Sequence, residues 1–371
     1  MKRILLAIIS IFIILSSPTY AEESVYKIGA IAPLTGPLHE YGSWFIRGIE
    51  MAIDEVNSAG GIKGKQLELF IEDDACVSKN AVTAVKKLKA LENISLFFVF
   101  CTAVAAPVAQ VTAKDSIVIT PSFKTTPLEA GNYTHYFSLQ PEIKTEMSKL
   151  VEHLISTNTQ KLAVFTEEDD FCNSYADILV ELLKDTKIEV VEDLRIQRNE
   201  TDLKAYLTKI RSKDADTIFF LFKPHQQAVL LKQFSELKLS AKLVTNWTAQ
   251  VPFILDFPAD LTNGIVYTYH YNQLIPGKPT LFTDKYQANF KVATQVISAS
   301  MYDAFFIFKQ ALEKCDSEQN IKCLRSAVAN MKEINGASGT FKFSDYSTTK
   351  NVLLKTINNQ KFQTLQKSQH L

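Results

Sequence analysis

Tyr26-Lys27-Ile28-Gly29-Ala30-Ile31-Ala32 is a short, mostly apolar run that reads as a buried β-strand. The breakers Pro33, Gly36 and Pro37 follow it. Residues 41–58 then carry apolar side chains at helical spacing up to the stop Gly60-Gly61, and residues 66–72 return to a strand pattern. Strand, loop, amphipathic helix, turn and strand make one βα unit with a crossover. The unit recurs: residues 79–91 read as a helix, 96–100 and 116–120 as strands. After Pro141 the rhythm restarts, with helices over 142–156, 174–183, 202–211 and 226–237. Strands fall between them over 162–165, 188–194, 217–222 and 243–245. Short buried strands alternating with helices specify parallel sheets covered on both faces. Two such series predict an α/β protein of two doubly wound parallel-sheet lobes. Ligands of such sheets gather beyond the carboxyl ends of the strands, where helix N-termini point. The loops at those ends begin at Pro33, Cys101, Pro121, Thr166, Lys223 and Asn246.

The 371 residues exceed one ordinary domain, and 46% hydrophobic with 22% charged residues exclude a disordered or collagen-like chain. Forty basic residues balance forty acidic ones, which leaves no footprint for nucleic acid. No internal repeat of about 20–50 residues stands out. Lys2-Arg3, the apolar run over 4–15, the breaker Ser16-Ser17-Pro18 and the small residue Ala21 match an export signal over residues 1–21, cleaved near Ala21. The run is short for a membrane span, which takes about 20 apolar residues, and no Cys follows it for lipid attachment. A second uncharged stretch, 94–113, changes from β-branched and aromatic to Ala-rich with Pro107. That suits a strand, a turn and a short helix better than a span.

Catalytic signatures are missing from the sequence. There is no Gly-x-Ser-x-Gly elbow, no phosphate loop ending in Gly-Lys-Ser/Thr and no His-Glu-x-x-His. Gly60-Gly61-Ile62-Lys63-Gly64 lies between a helix and a strand, the wrong order for a nucleotide site, and reads as a turn. The six histidines are scattered and no Cys-x-x-Cys occurs, so neither a metal nor an organic cofactor is expected. Glu167-Glu168-Asp169-Asp170 follows a strand. It reads as a solvated loop whose Asp170 caps the next helix, with capture of a cation or ammonium as the alternative. Cys76, Cys101, Cys172, Cys315 and Cys323 all lie beyond the leader. An oxidising compartment predicts two bridges and one leftover thiol, which spacing alone does not assign. Cys315 and Cys323 flank a polar stretch, 316–322, that looks like a stapled helix-to-helix turn.

Several motifs occur in order: Ile28-Gly29-Ala30-Ile31-Ala32-Pro33-Leu34-Thr35-Gly36-Pro37, Tyr41-Gly42, the segment 48–57, Ala59-Gly60-Gly61-Ile62-Lys63-Gly64, Glu72-Asp73-Asp74-Ala75-Cys76 and Ile119-Thr120-Pro121-Ser122. Together they resemble the exported Leu/Ile/Val-binding-protein family, solute receptors of ABC importers. The resemblance runs over roughly residues 25–355 and is strongest before Pro127. It implies a type I periplasmic-binding fold, two lobes joined by three crossovers, placed near Gln140, Tyr269 and Asn335. Lobe 1 would hold residues 22–140 and 270–335, and lobe 2 residues 141–269 and 336–371. The same resemblance implies a Cys76–Cys101 bridge, with Cys315–Cys323 as the second and Cys172 left over. It implies a periplasmic monomer that hands a small solute to the membrane permease of an ABC importer. A sensor of the same fold reporting to a membrane receptor is the alternative. An exported hydrolase is a third reading, without a nucleophile–base signature.

The family's ligand positions map one by one. The residue after the second bridging Cys, which holds the solute carboxylate, is Thr102. A hydroxyl and a backbone N–H at a helix N-terminus suit an anion. The residues after Thr-Pro are Ser122 and Phe123, then Lys124 or Thr125; Phe123 and Lys124 depart from the family's small residues. Tyr41 and Phe171 match aromatic walls. Phe222 falls near another, with core packing as its alternative, and solvent exposure is the alternative for Lys124. Amino-acid binders of the family carry a Glu that pairs with the ammonium; Trp247 stands near its position here. A buried ammonium without a carboxylate is costly, so the expected solute bears a carboxylate and a flat apolar body and is not simply Leu, Ile or Val. Replacement of the Glu by Asp169 or Asp170 stays open at this point.

Overall fold

The computed structural model describes residues 25–271, 277–344 and 346–365; the leader over 1–21 lies outside the described residues. Strands β1 (Tyr26–Ala32), β2 (Leu67–Asp73), β3 (Leu96–Val99), β4 (Ile117–Thr120) and β5 (Tyr136–Ser138) form one sheet in the order β2-β1-β3-β4-β5. Every pairing in it is parallel. β3 and β4 are buried along their whole length, which is why they are continuous apolar runs without alternation. Helices α1 (His39–Ser58), α2 (Ser78–Glu92), α3 (Thr102–Thr112) and α4 (Thr126–Ala130) make the crossovers. The uncharged stretch 94–113 thus resolves into a strand, a turn and a helix, and no described helix is long and apolar enough to cross a membrane.

A second sheet repeats the first. β6 (Lys161–Glu167), β7 (Glu189–Ile196), β8 (Thr217–Leu221), β9 (Lys242–Thr245) and β10 (Val266–Tyr269) lie in the order β7-β6-β8-β9-β10, again all parallel. Helices α5 (Ile143–Ser156), α6 (Asp170–Leu183), α7 (Lys204–Ser212), α8 (Pro224–Glu236) and α9 (Ala259–Thr262) accompany them. The chain then returns. α10 (Lys278–Phe290), α11 (Val296–Lys314) and α12 (Ile321–Ala329) follow; α11 packs along α1, and both α11 and α12 pack on β4. Two short hairpins come next, β11 (Ile334–Gly336) with β12 (Gly339–Phe341) and β13 (Phe343–Ser344) with β14 (Ser347–Thr348). They stay beside the first sheet: the Ser138 N–H donates to the Tyr346 carbonyl at 2.8 Å, and β14 touches β5. Finally β15 (Leu353–Asn358) adds antiparallel to β10, and β16 (Lys361–Thr364) to β15.

Three passages therefore join the halves: after β5, after β10 and after β14. Asn335 lies in β11, upstream of the third. The fold class expected from the sequence, two doubly wound lobes with three crossovers, is the one present. α6 and α8 are among the helices that begin earlier than their periodicity indicated. α6 starts at Asp170, not 174, because Asp169 caps it: its carboxylate accepts the Cys172 N–H at 2.8 Å. The cap is Asp169 rather than the expected Asp170. α8 starts at Pro224, where proline lacks only an N–H the helix would leave unpaired anyway.

Candidate functional site

The carboxyl ends of the two sheets face one another across a cleft of about 210 Å³. Its position follows from parallel topology, which sends every strand-following loop to the same edge. The first half's wall is built by tied loops. Asp73 Oδ1 accepts the Leu34 and Ala75 N–H groups, each at 2.9 Å, and Asp73 Oδ2 accepts the Thr35 hydroxyl at 2.6 Å. Asp74 Oδ1 accepts the Cys76 N–H at 2.8 Å. These bonds hold Ala75 and Cys76 at φ 48° and 57°, left-handed values unusual for residues with a Cβ. The Cys76–Cys101 disulfide then joins the loop after β2 to the loop after β3, with Cα atoms 5.7 Å apart. Cys315–Cys323 is the second disulfide and staples the α11–α12 turn; Cys172 is free and buried. Gly42 lets α1 start against the β1 loop, since a Cβ there would sit 1.9 Å from the Pro33 carbonyl oxygen.

Thr102 and Ala103, the first two residues of α3, line the cleft, and no side chain caps that helix. The N-terminal residues of α6 and α8 line it from the other side. Converging helix N-termini give the cleft the positive backbone ends that stabilise an anion. Ser122 also lines it, with its backbone fixed by an N–H bond to Thr120 Oγ1 at 3.0 Å and a 2.6 Å bond from the Ser138 hydroxyl to its carbonyl. Tyr41 packs edge-on to Trp247 at 6.1 Å across the halves. Its hydroxyl is buried without a partner among the described residues, and burial raises its pKa.

Phe123 reaches across the cleft. It is 1% exposed, and its ring lies 6.0 Å from Phe171, 5.5 Å from Tyr175, 5.8 Å from His270 and 6.1 Å from Trp247, nearly parallel to the last. Beneath it, Tyr175 donates to Glu146, whose other oxygen lies 3.3 Å from His270 Nδ1. Phe222 lines the cleft and also packs edge-on against Phe165, so it serves both wall and core. The structure thus brings Tyr41, Thr102, Ser122, Phe123, Phe171, Phe222 and Trp247 together. Lys124 and Thr125 are not with them. The chain turns into α4 immediately after Phe123, which carries the Lys124 ammonium to 5.6 Å from the Tyr346 ring, in a separate depression, and buries Thr125 beside the helix start.

The charged side of the cleft was only partly legible. Asp169 accepts from Lys223 Nζ at 2.7 Å and from Arg198 Nη2 at 3.0 Å. Glu167, 1% exposed, accepts the Lys223 backbone N–H at 3.2 Å and lies 3.3 Å from Arg198 Nε. Burial alone would raise the Asp169 pKa, but Lys223, the Cys172 N–H and Arg198 outweigh it and hold the carboxyl below its ordinary range. Burial disfavours the Lys223 charge in turn, yet neighbouring Cys172, Asp169 and Glu167 raise its pKa. Asp170 stands exposed on the rim. Arg198 was missed altogether, although it too follows a strand, β7. Among the described residues no cluster of His, Cys, Asp and Glu could hold a metal ion.

Comparison with known proteins agrees with this fold. A family model described as periplasmic binding protein matches residues 25–359. The Leu/Ile/Val-binding protein BraC3 of Rhizobium johnstonii is 23% identical over 86% of this chain and 87% of its own. A leucine-, isoleucine-, valine-, threonine- and alanine-binding protein of Pseudomonas aeruginosa is 23% identical over 88% and 87%. The crystal structure of a leucine-binding protein from Thermotoga maritima superposes with a TM-score of 0.84 at 18% identity, covering 92% of this chain and 98% of that one. An ABC-transporter solute-binding protein from R. palustris in complex with benzoate gives 0.82 at 18%, covering 92% and 96%. Members of the family are solute-binding proteins, not enzymes. With the model spanning nearly all described residues and the two-lobed fold in place, the chain belongs to the periplasmic binding protein family.

Proposed function

We propose that this protein is an exported, monomeric solute receptor that closes its two lobes on a small aromatic carboxylate and presents it to the permease of an ABC importer. The hinge would be the three passages after β5, β10 and β14. One observation carries the solute reading: the uncapped N-terminus of α3 at Thr102 shares a cleft with the ring faces of Phe123, Phe171 and Trp247. The helix end and the Tyr41 hydroxyl, which has no partner among the described residues, offer hydrogen bonds and a positive dipole to a carboxylate. The rings offer flat apolar surface to the rest of the solute. Trp247 near the position of the family's ammonium-binding Glu removes the natural partner of an α-amine. Relatives support both halves of the reading, since one binds leucine and another holds benzoate in the same fold. Calorimetry with benzoate, 3-phenylpropionate, leucine, isoleucine and valine tests it. Binding of an aromatic acid in the micromolar range or tighter is expected. Submicromolar leucine binding, lost in Asp169→Ala or Asp170→Ala, would overturn it and identify the replacement carboxylate.

A further inference from the structure

We infer that Lys223 is a built-in substitute for a solute's amine: its ammonium fills the carboxylate niche of Asp169 and thereby sets the site against amino acids. This inference deepens the proposed function and rests on that reading of the cleft. Asp169 lies on the cleft wall beside Phe171, where it would be positioned to receive a cation. The position is taken. Lys223 Nζ bonds Asp169 Oδ2 at 2.7 Å and stands 5.1 Å from the centroid of the Phe171 ring, so it meets both a carboxylate and an aromatic face, the two groups that bind an ammonium. Arg198 approaches the same carboxylate at 3.0 Å and Glu167 at 3.3 Å. Glu167 and Asp169 are thus matched by two cations, and the remaining carboxylate of this wall, Asp170, stands exposed on the rim. A solute ammonium in the buried part of the cleft would have to displace Lys223 or go unpaired, since Asp170 stands out on the exposed rim, and an unpaired buried cation is strongly disfavoured. The backbone makes the arrangement durable. Asp169 is fixed as the cap of α6, and the Lys223 N–H is held by Glu167 at 3.2 Å at the start of α8. β6 and β8 are adjacent, so the loops bearing the pair are neighbours by topology.

The test measures the affinity ratio of two solutes that differ by one amine, 3-phenylpropionate and phenylalanine, in the full chain and in Lys223→Met. Lys223→Gln serves as a second, more polar variant, and circular dichroism checks that each folds. The unaltered protein should prefer the acid without the amine by at least about tenfold, and the variant should shrink that ratio by about tenfold or more through a gain for phenylalanine. Adding Asp169→Asn to Lys223→Met should abolish the gain. Equal losses for both solutes, with the ratio unchanged, would mean that Lys223 only supports the wall and would overturn the inference. If the unaltered protein binds neither acid, the aromatic-carboxylate reading fails by itself. Phenethylamine then decides on Lys223: affinity gained in both variants supports its role as the amine's substitute, and no gain overturns it.

Discussion

Loops after β1 to β4 bring no charged side chain to the cleft, whereas the corresponding loops after β6 to β8 bring Glu167, Asp169, Asp170, Arg198 and Lys223. The five parallel strands of the second sheet repeat the order of the first, so the contrast is one of chemistry on like geometry. Two aspartates show what each wall permits. Asp74, just behind the first wall, is buried with no cation beside it; burial, helped by neighbouring Asp73 and opposed by the Cys76 N–H, pushes its pKa up to about 6. Asp169, on the second wall, is held below the ordinary range by Lys223 and Arg198 despite burial. Burial alone favours the neutral carboxyl, and the cations folded in beside Asp169 help to reverse that preference. The first wall is therefore suited to a solute's anionic end through backbone dipoles, and the second has already matched Glu167 and Asp169 with Arg198 and Lys223.

The strongest challenge to the first wall is removal of its staple. Replacing Cys76 and Cys101 together by Ser should lower unfolding free energy by about 3 kcal/mol, read from urea denaturation. A loss below about 1 kcal/mol would mean that the Asp73 and Asp74 hydrogen bonds hold these loops without the bridge. On the second wall, Asp169→Asn should cost about 1–2 kcal/mol at neutral pH. Breaking a fully buried pair costs about 3–5 kcal/mol, and the partial exposure of the Lys223 and Arg198 side chains, 19% and 46%, reduces that.

The pH responses of the two aspartates should run in opposite directions. The Asp169 contribution is complete above the ordinary carboxylate range, near 4, and is lost as pH falls through its lower folded value. Asp74 behaves inversely. Its contribution is complete below 3.8 and is lost as pH rises through about 6. Asp74→Asn should therefore remove a stability gain that the unaltered protein shows between pH 7 and pH 5, measured by thermal unfolding across that range. If the gain persists in the variant, another group titrates there. The smallest effect belongs to Lys124→Ala. With its ammonium beside Tyr346, away from the cleft, it should change solute affinity by less than about twofold and stability by about 0.5 kcal/mol or less.

Much of the fold was legible because its strands are covered on both faces and so appear as unbroken apolar runs: β1 and the strand half of 94–113 needed no tertiary information. The duplication of strand order was not legible, since topology repeats here while side chains do not. β15 and β16 were also silent. β16 is the edge strand and β15 lies between it and β10; Lys355, Asn358 and Lys361 are among their residues, and the pairing of β15 with β10 is set by a distant return of the chain. In the site, strand ends marked the loops that hold Thr102 and Ser122 and the family resemblance pointed to the residues themselves, whereas Lys124 could not be separated from Phe123 until the start of α4 fixed where the chain turns. The Lys223–Asp169 pair joins residues 54 apart whose meeting depends on β6 lying next to β8. Nothing local to either residue announces it.

The threefold passage of the chain between the sheets has a consequence for how the protein comes into being. α1 finds its covering helix only in α11, and β10 finds its antiparallel neighbour only in β15. At synthesis rates of about 5–20 residues per second, α1 waits roughly 10–50 s for its partner. Contacts this distant in sequence also form slowly, because a long loop must close before they reward the chain. Neither lobe is a segment that a ribosome could release finished ahead of the other. A nascent chain therefore cannot complete the packing of α1 before α11 exists, nor the sheet beyond β10 before β15 does.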